Sequence, residues 1–232
     1  MAHKVWHHHG QMSEAFRTVM FLSASGGLQD AYTYIGRGKV FANAQTGNIV
    51  LMSQAAFNGD LSRVLHYLIP LLSFALGVAA AEVIHIRYRE AKHLHWRQLV
   101  LLVEILLLFG VGFITNTLDL AANALVSFAC AMQVQAFRKV HGYPFASTMC
   151  IGNMRSGMES LVVYFHLHDK KVLHKALHYF GVILLFAFGA GVGAHCVGVF
   201  GNKTIWFSCA LLLVSLCFMF IQDEEEALKE KA

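Results

Sequence analysis

Phe41-Ala42-Asn43-Ala44-Gln45-Thr46-Gly47-Asn48 is a polar knot set in an otherwise apolar stretch, and Ile151-Gly152-Asn153-Met154-Arg155 is a second one. Their Gly-Asn pairs, 47–48 and 152–153, lie 105 residues apart. The same 105 residues separate Asp30-Ala31 from Gln135-Ala136. Further on, Leu65-His66-Tyr67 is echoed by Leu177-His178-Tyr179, and Phe74 with Gly77 by Phe186 with Gly189, at an offset of 112. Ordered matches of this kind indicate a duplicated chain with an insertion in its second half. Each half reads as a helix, a knot segment, a Gly-rich helix and a very apolar helix.

The rest of the composition fits such a chain. Of 232 residues, 56% are hydrophobic and 14% charged, and the mean hydropathy is +0.53. A soluble domain carries about 25% charged residues. The deficit excludes a soluble enzyme as the default, and disorder needs the opposite balance. The net charge is +4 with the basic residues in short clusters, so nucleic acid is not an expected partner. Cys130, Cys150, Cys196, Cys209 and Cys217 are odd in number, widely spaced and set in apolar stretches. They read as small apolar residues, not a disulfide framework or a metal site. Met1–Gln11 is polar and His-rich, with no apolar signal region directly after it.

A bilayer crossing takes about 20 apolar residues. Residues 65–84, 98–115, 177–200 and 204–221 meet that need, and 16–35 and 118–137 are more polar candidates. The knot-bearing stretches 41–57 and 145–167 are ambiguous. If both cross, there are eight spans and the repeats are parallel. If both re-enter, there are six spans and the halves are inverted, an arrangement common in transporters. Short cytoplasmic loops are rich in Lys and Arg. Six spans with a cytoplasmic N-terminus put Arg87, Arg89, Lys92 and Arg97, the pair Arg138-Lys139, and Lys170-Lys171 with Lys175 all inside. Only Arg37, Lys39, Arg63 and Lys203 are then left outside. The expected fold is therefore an all-α polytopic bundle of two tandem repeats with six spans and two re-entrant or broken helices, eight parallel spans being the alternative. The expected divisions are a polar tail over 1–15, repeats over 16–117 and 118–221, and an acidic tail over 222–232.

Gly26-Gly27-Leu28-Gln29-Asp30-Ala31 followed by the first knot resembles the first signature of the YoaK family of small bacterial multi-pass membrane proteins, a family of unknown function. Met132-Gln133-Val134-Gln135-Ala136-Phe137-Arg138-Lys139, then Thr148-Met149-Cys150-Ile151-Gly152-Asn153-Met154-Arg155-Ser156-Gly157, resembles its second. Ile151 stands where Thr would echo Thr46, so a hydroxyl role is not carried over there. The resemblance covers about 16–221. It implies a membrane protein and no particular substrate.

Several residues are candidates for chemistry. Asp30 lies inside a span, where a carboxylate costs several kcal/mol unless paired, hydrated or protonated. It reads either as a proton or cation site or as a structural cap. Arg155 and Glu159 stand four apart and share a helix face. Either they satisfy each other, or Arg155 meets an anionic ligand while Glu159 orients it. Thr46-Gly47-Asn48 and Ile151-Gly152-Asn153 allow a sharp break and an Asn cap at a helix start. Two such starts meeting near the midplane make a polar site, and the bland alternative is helix packing. Gln135 echoes Asp30. Gly77 with Ala81, and Gly189 with Gly193, have the spacing of closely packed helices. Glu82 is expected near the interface beside Arg87. Glu104 sits deeper, as a relay group or a hydrogen-bonded one. The 14 histidines lack recognised ligand spacing, so neither a metal nor another cofactor is expected.

The leading expectation is a transporter or channel for a small polar or anionic solute, with Asp30, Thr46, Gly47, Asn48, Gln135, Gly152, Asn153, Arg155 and Glu159 around a central site. The alternatives are a non-catalytic scaffold or partner-binding subunit and, third, an intramembrane enzyme. The expected location is the bacterial inner membrane with both termini cytoplasmic. The expected surroundings are lipid, a small solute and, for a bundle this small, further copies of the chain.

Overall fold

The computed structural model describes residues 16–88, 95–140, 143–144 and 147–229. The N-terminal tail and the Arg89–Lys92 part of the basic cluster lie outside them. Eight helices follow in order: α1 (Phe16–Ala31), α2 (Gln45–Phe57), α3 (Leu61–Tyr88), α4 (Trp96–Val111), α5 (Asp119–Ala136), α6 (Cys150–Leu167), α7 (Lys170–Phe200) and α8 (Ile205–Lys229). A two-residue antiparallel ladder pairs Lys139 with Pro144 and Val140 with Tyr143. All six expected spans and both knot segments thus appear as helices. Among the described residues, three stretches are long and apolar enough to cross a membrane: Leu61–Tyr88, Asn116–Ala136 and Lys170–Phe220, the last containing α7 and α8 up to Phe220.

The bundle is apolar outside and partly polar within. Leu72, Leu76, Leu106, Leu184 and Phe188 are exposed, whereas Ser25, Gln29, Glu104, Asn123 and Ser208 are fully buried. That inversion suits lipid as the surrounding solvent. The apolar part of the interior is built mainly by α4, α5 and α8, with Leu101, Leu108, Val126, Met132, Ile205 and Leu212 at its centre. Pro70 lies inside α3 and does not end it, as is common for proline in membrane helices.

The long helices pair across the halves. α1 packs along α7 and α5 along α3, while α4 and α8 meet each other and cover α5 and α1. Small residues set the approach. A Cβ on Gly189 would overlap the Ala24 carbonyl, one on Gly27 the Phe186 carbonyl, and one on Gly77 the Phe128 carbonyl. The expected small-residue stripes are thus the places where backbones touch.

After α1 the chain makes one π-helical turn over Tyr32–Gly36. It then reverses through Gly38 and Lys39, both left-handed with φ of +84° and +68°. The Gly38 carbonyl lies 2.8 Å from His66 Nε2, near the start of α3. From there the chain doubles back along α1. By Asn43 it has reached Gly26, whose carbonyl accepts from the Asn43 amide at 3.2 Å. α2 then carries it out again to the turn before α3. At about 1.5 Å per residue, α2 is roughly 20 Å long against a hydrocarbon core of about 30 Å.

Candidate functional site

Asp30 stands on the last turn of α1 and is buried. Its Oδ1 accepts from the Asn43 N–H at 2.7 Å, with the N–H groups of Ala42 and Ala44 close by. These donors lie just ahead of α2, where the helix leaves its own N–H groups unpaired and carries its positive dipole end. The carboxyl of one helix therefore serves as the anion for the start of another. This explains a difference from the sequence expectation. Neither Asn48 nor Asn153 is a helix cap: α2 starts at Gln45 and α6 at Cys150, with Ala44 and Met149 at the cap positions and no side-chain cap at either.

Asn48, fully buried on the first turns of α2, ties the knot to itself. Its Oδ1 accepts from the Phe41 N–H at 3.0 Å. Its Nδ2 donates to the Phe41 carbonyl at 2.7 Å and to Gln45 Oε1 at 2.8 Å. Gly47 makes room for the Phe41 ring, which a Cβ there would crowd at 2.9 Å. Thr46 faces outward. In the second knot Asn153 is buried, whereas Gly152 is exposed and a Cβ on it would meet nothing within 4 Å.

The tips of the two knots converge on α1. A Cβ on Gly26 would collide with the Thr148 methyl group, and Asn43 holds the Gly26 carbonyl from the other half. One turn earlier, Gln133 Nε2 donates to the Leu22 carbonyl at 3.3 Å and to Ser147 Oγ at 2.8 Å. Asn43 Oδ1, Gln133 Oε1 and Thr148 Oγ1 are buried there without a hydrogen-bond partner. Asp30 also lies within electrostatic reach of Cys150, the first residue of α6. Asp30, Asn48 and Asn153 therefore belong to the knot region.

The other candidates do not join it. Gln135 turns to α3 and donates to Glu82 Oε2 at 2.5 Å. Arg155 and Glu159 are both exposed on α6. Among the described residues the ion pairs are Arg37–Asp119, Arg63–Asp60 and His85–Glu82, so Arg155 and Glu159 do not pair with each other. They share a helix face, as their spacing dictates, but it is the outer face.

Three features escaped the sequence reading. Gln133 and Thr148 line the meeting point, although the sequence marks them only as members of the second family-like signature. Arg37, expected in an outer loop, is fully buried. Its guanidinium donates to the carbonyls of Ile114 at 2.8 Å and Thr115 at 3.3 Å, to Tyr32 Oη at 2.9 Å and to Asp119 Oδ1 at 2.8 Å. It thus satisfies the chain end that leaves α4. Gln29, next to Asp30, is the hub of a buried network linking α1, α4, α5 and α8. Its Nε2 reaches Ser25 Oγ at 3.0 Å, Ser208 Oγ at 2.9 Å and Glu104 Oε1 at 3.3 Å. Its Oε1 accepts from Cys130 Sγ. A glutamine in a Gly-rich helix gives no sign of this in sequence, because its partners come from three other helices.

Among the described residues, no three His, Cys, Asp or Glu side chains gather into a metal-binding group. An open cleft of about 740 Å³ lies at one end of the bundle, lined by residues that include Gly36, Gly112, Asn116, Asn202 and Lys203.

The model of a family described as protein of unknown function (DUF1275) matches residues 18–218, and the chain belongs to that family. The chain is 25% identical over 209 residues to the UPF0700 transmembrane protein YoaK of Bacillus subtilis (strain 168), covering 85% of this chain and 92% of that relative. No solved structure matches the chain. The resemblance carried by the two knots is borne out, and the chain is an integral membrane protein built as a helical bundle.

Proposed function

We propose that this DUF1275 chain is a transporter or channel of the bacterial inner membrane that passes a small polar solute through the meeting point of its two knots. The supporting observation is the set of unpartnered buried oxygens of Asn43, Gln133 and Thr148, contributed by both halves around Gly26. A buried polar atom without a partner costs about 1–3 kcal/mol. A chain that merely assembled a bundle gains nothing by keeping three of them together.

The chemistry of the lining selects the solute. The amide nitrogens of Asn43 and Gln133 are committed to backbone carbonyls of α1, so their oxygens are what a solute meets. With Asp30 beside them and Arg155 on the outer face, the site favours a solute that donates hydrogen bonds over an anionic one.

The path of the first knot supports a re-entrant first segment, as the six-span arrangement requires. The chain leaves α1 at Gly38, beside His66 of α3, descends to Gly26 and returns through a helix too short to cross. The pairing of α1 with α7 and α5 with α3 supports two repeats related by exchange of corresponding helices. With an odd number of spans in each half, the repeats are inverted, and both termini are cytoplasmic.

The test is osmotic swelling of proteoliposomes with urea, glycerol, a primary amine and a carboxylate as probes. Uptake of a donor-bearing probe that Asn43→Leu abolishes supports the proposal. Failure of every probe to enter faster than in empty vesicles favours the scaffold. Side-specific labelling of single cysteines at positions 38 and 60 tests the topology separately. Labelling from opposite faces would show that the knot segment crosses.

A further inference from the structure

We propose that Glu104, held by Gln29 at the centre of the bundle, is a proton-binding site, neutral in this closed arrangement and exchanging its proton with water at the cleft end. The site is distinct from the solute site at Gly26 and does not depend on it.

Glu104 lies in the middle of α4 and is fully buried. Its Oε1 faces Gln29 Nε2 at 3.3 Å, and its Oε2 has no partner. The groups around it carry no positive charge. α1 presents Gln29 and Ser25, with Asp30 one residue on; α5 presents Cys130; α8 presents Ser208 and Cys209. The titratable groups of α3 nearest this helix, Glu82 and His85, lie at its other end, where His85 stacks on Trp96. An ionised carboxylate there would face several kcal/mol of desolvation with one long hydrogen bond in return. The protonated acid removes that penalty. A metal cation is disfavoured by the same geometry, because the Gln29 amide nitrogen points at Oε1, one of the two oxygens that would ligate it.

The route out is set by helix register. Thr204, the residue just before α8, stands four positions from Ser208 on that helix, and Thr204 Oγ1 is buried without a partner. Lys203 and Asn202, just before them, line the open cleft. On α4, Glu104 is eight residues from Gly112 of the same cleft, about 12 Å at helical rise. Between the two levels stand Leu108, Ile205 and Tyr32, all fully buried. Water admitted past these side chains accepts the Glu104 proton and passes it as hydronium to the solvent of the cleft, leaving a hydrated carboxylate. Transfer of a proton from solvent back along the same water restores the acid before the water leaves. Since Gln29 and Asp30 are neighbours on α1, a movement of α1 that alters one site alters the other; that coupling, unlike the proton site itself, rests on the transport reading.

The experiment is infrared spectroscopy of the full chain in lipid, titrated with pH. A buried acid gives a carbonyl stretch separate from that of a carboxylate. The expected result is an acid band at neutral pH that disappears reversibly on alkalinisation, is absent from Glu104→Gln and is retained in Asp30→Asn. Should Glu104→Gln fail to fold, wild-type chain grown on carbon-13 glutamate decides, because Glu104 is the one buried glutamate among the described residues. The titrating band must then shift. A band that ignores pH, ignores the label or is a carboxylate throughout overturns the proposal. None of these readouts requires that a solute move.

Discussion

The side-chain amide of Asn43 donates to the Gly26 carbonyl at 3.2 Å, fixing the tip of the first knot to the middle of α1. The second knot reaches the same glycine through the Thr148 methyl group. Gly26 is thus touched by the tips of both knots. Asn43→Ala removes the bond but leaves the backbone N–H that serves Asp30. A loss of about 1–2 kcal/mol is expected, read as a lowered midpoint of thermal unfolding in detergent.

Asn48 makes three hydrogen bonds within its own knot, two of them to Phe41 backbone groups. Asn48→Ala strands those groups in the interior and costs about 2–4 kcal/mol. Asn48→Asp keeps the acceptor and loses the donor, so its unfolding midpoint falls between wild type and Asn48→Ala. Equal stability of all three proteins would remove the knot's dependence on this side chain.

Glycines of similar sequence context separate sharply. Gly189→Ala and Gly77→Ala each drive a methyl group into a backbone carbonyl of the facing helix, a contact that only helix displacement relieves. Each is expected to cost about 1–3 kcal/mol. Gly152→Ala meets open space and is expected to stabilise its helix by about 0.5–1 kcal/mol. Chemical denaturation of the three variants in one detergent gives the comparison.

Arg37 is fully buried and Asp119 only partly so. Removing either partner of a buried pair costs about 3–5 kcal/mol when the remaining charge is stranded. Arg37→Ala should reach that range, since it also exposes the carbonyls beyond α4 to an apolar interior. Asp119→Ala should cost less, because the guanidinium keeps Tyr32 and the carbonyls. Arg37→Lys should not restore stability, since a single ammonium cannot reach acceptors spread from Ile114 to Asp119. A double-mutant cycle in thermal unfolding measures the coupling.

The elements were legible because membrane helices announce themselves by length and hydropathy, and the knots by polar residues where none belong. Asp30, Asn48 and Asn153 were legible as polar groups at unusual depth. What each would touch was not. The Asp30 carboxyl that serves the start of α2 lies on another helix, fifteen residues before Gln45, so no local capping pattern exists at Gly47-Asn48. Arg155 and Glu159 share a face by spacing alone, but spacing does not say which way the face turns. Gln29 and Arg37 draw their importance from partners about 75 or more residues away, beyond the reach of any periodicity.

The exchange of partners between the halves bears on how the chain is made. α1 lies parallel to α7, and about 160 residues separate the positions that face each other, such as Ala24 and Gly189. At synthesis rates of about 5–20 residues per second, α1 waits on the order of ten seconds before its partner exists. During that interval Ser25 and Gln29 lack their second-half partner Ser208 of α8, and Gln29 also lacks Cys130 until α5 has been made. The first half must therefore be held by the insertion machinery, or remain loosely seated, until the second half emerges to complete it.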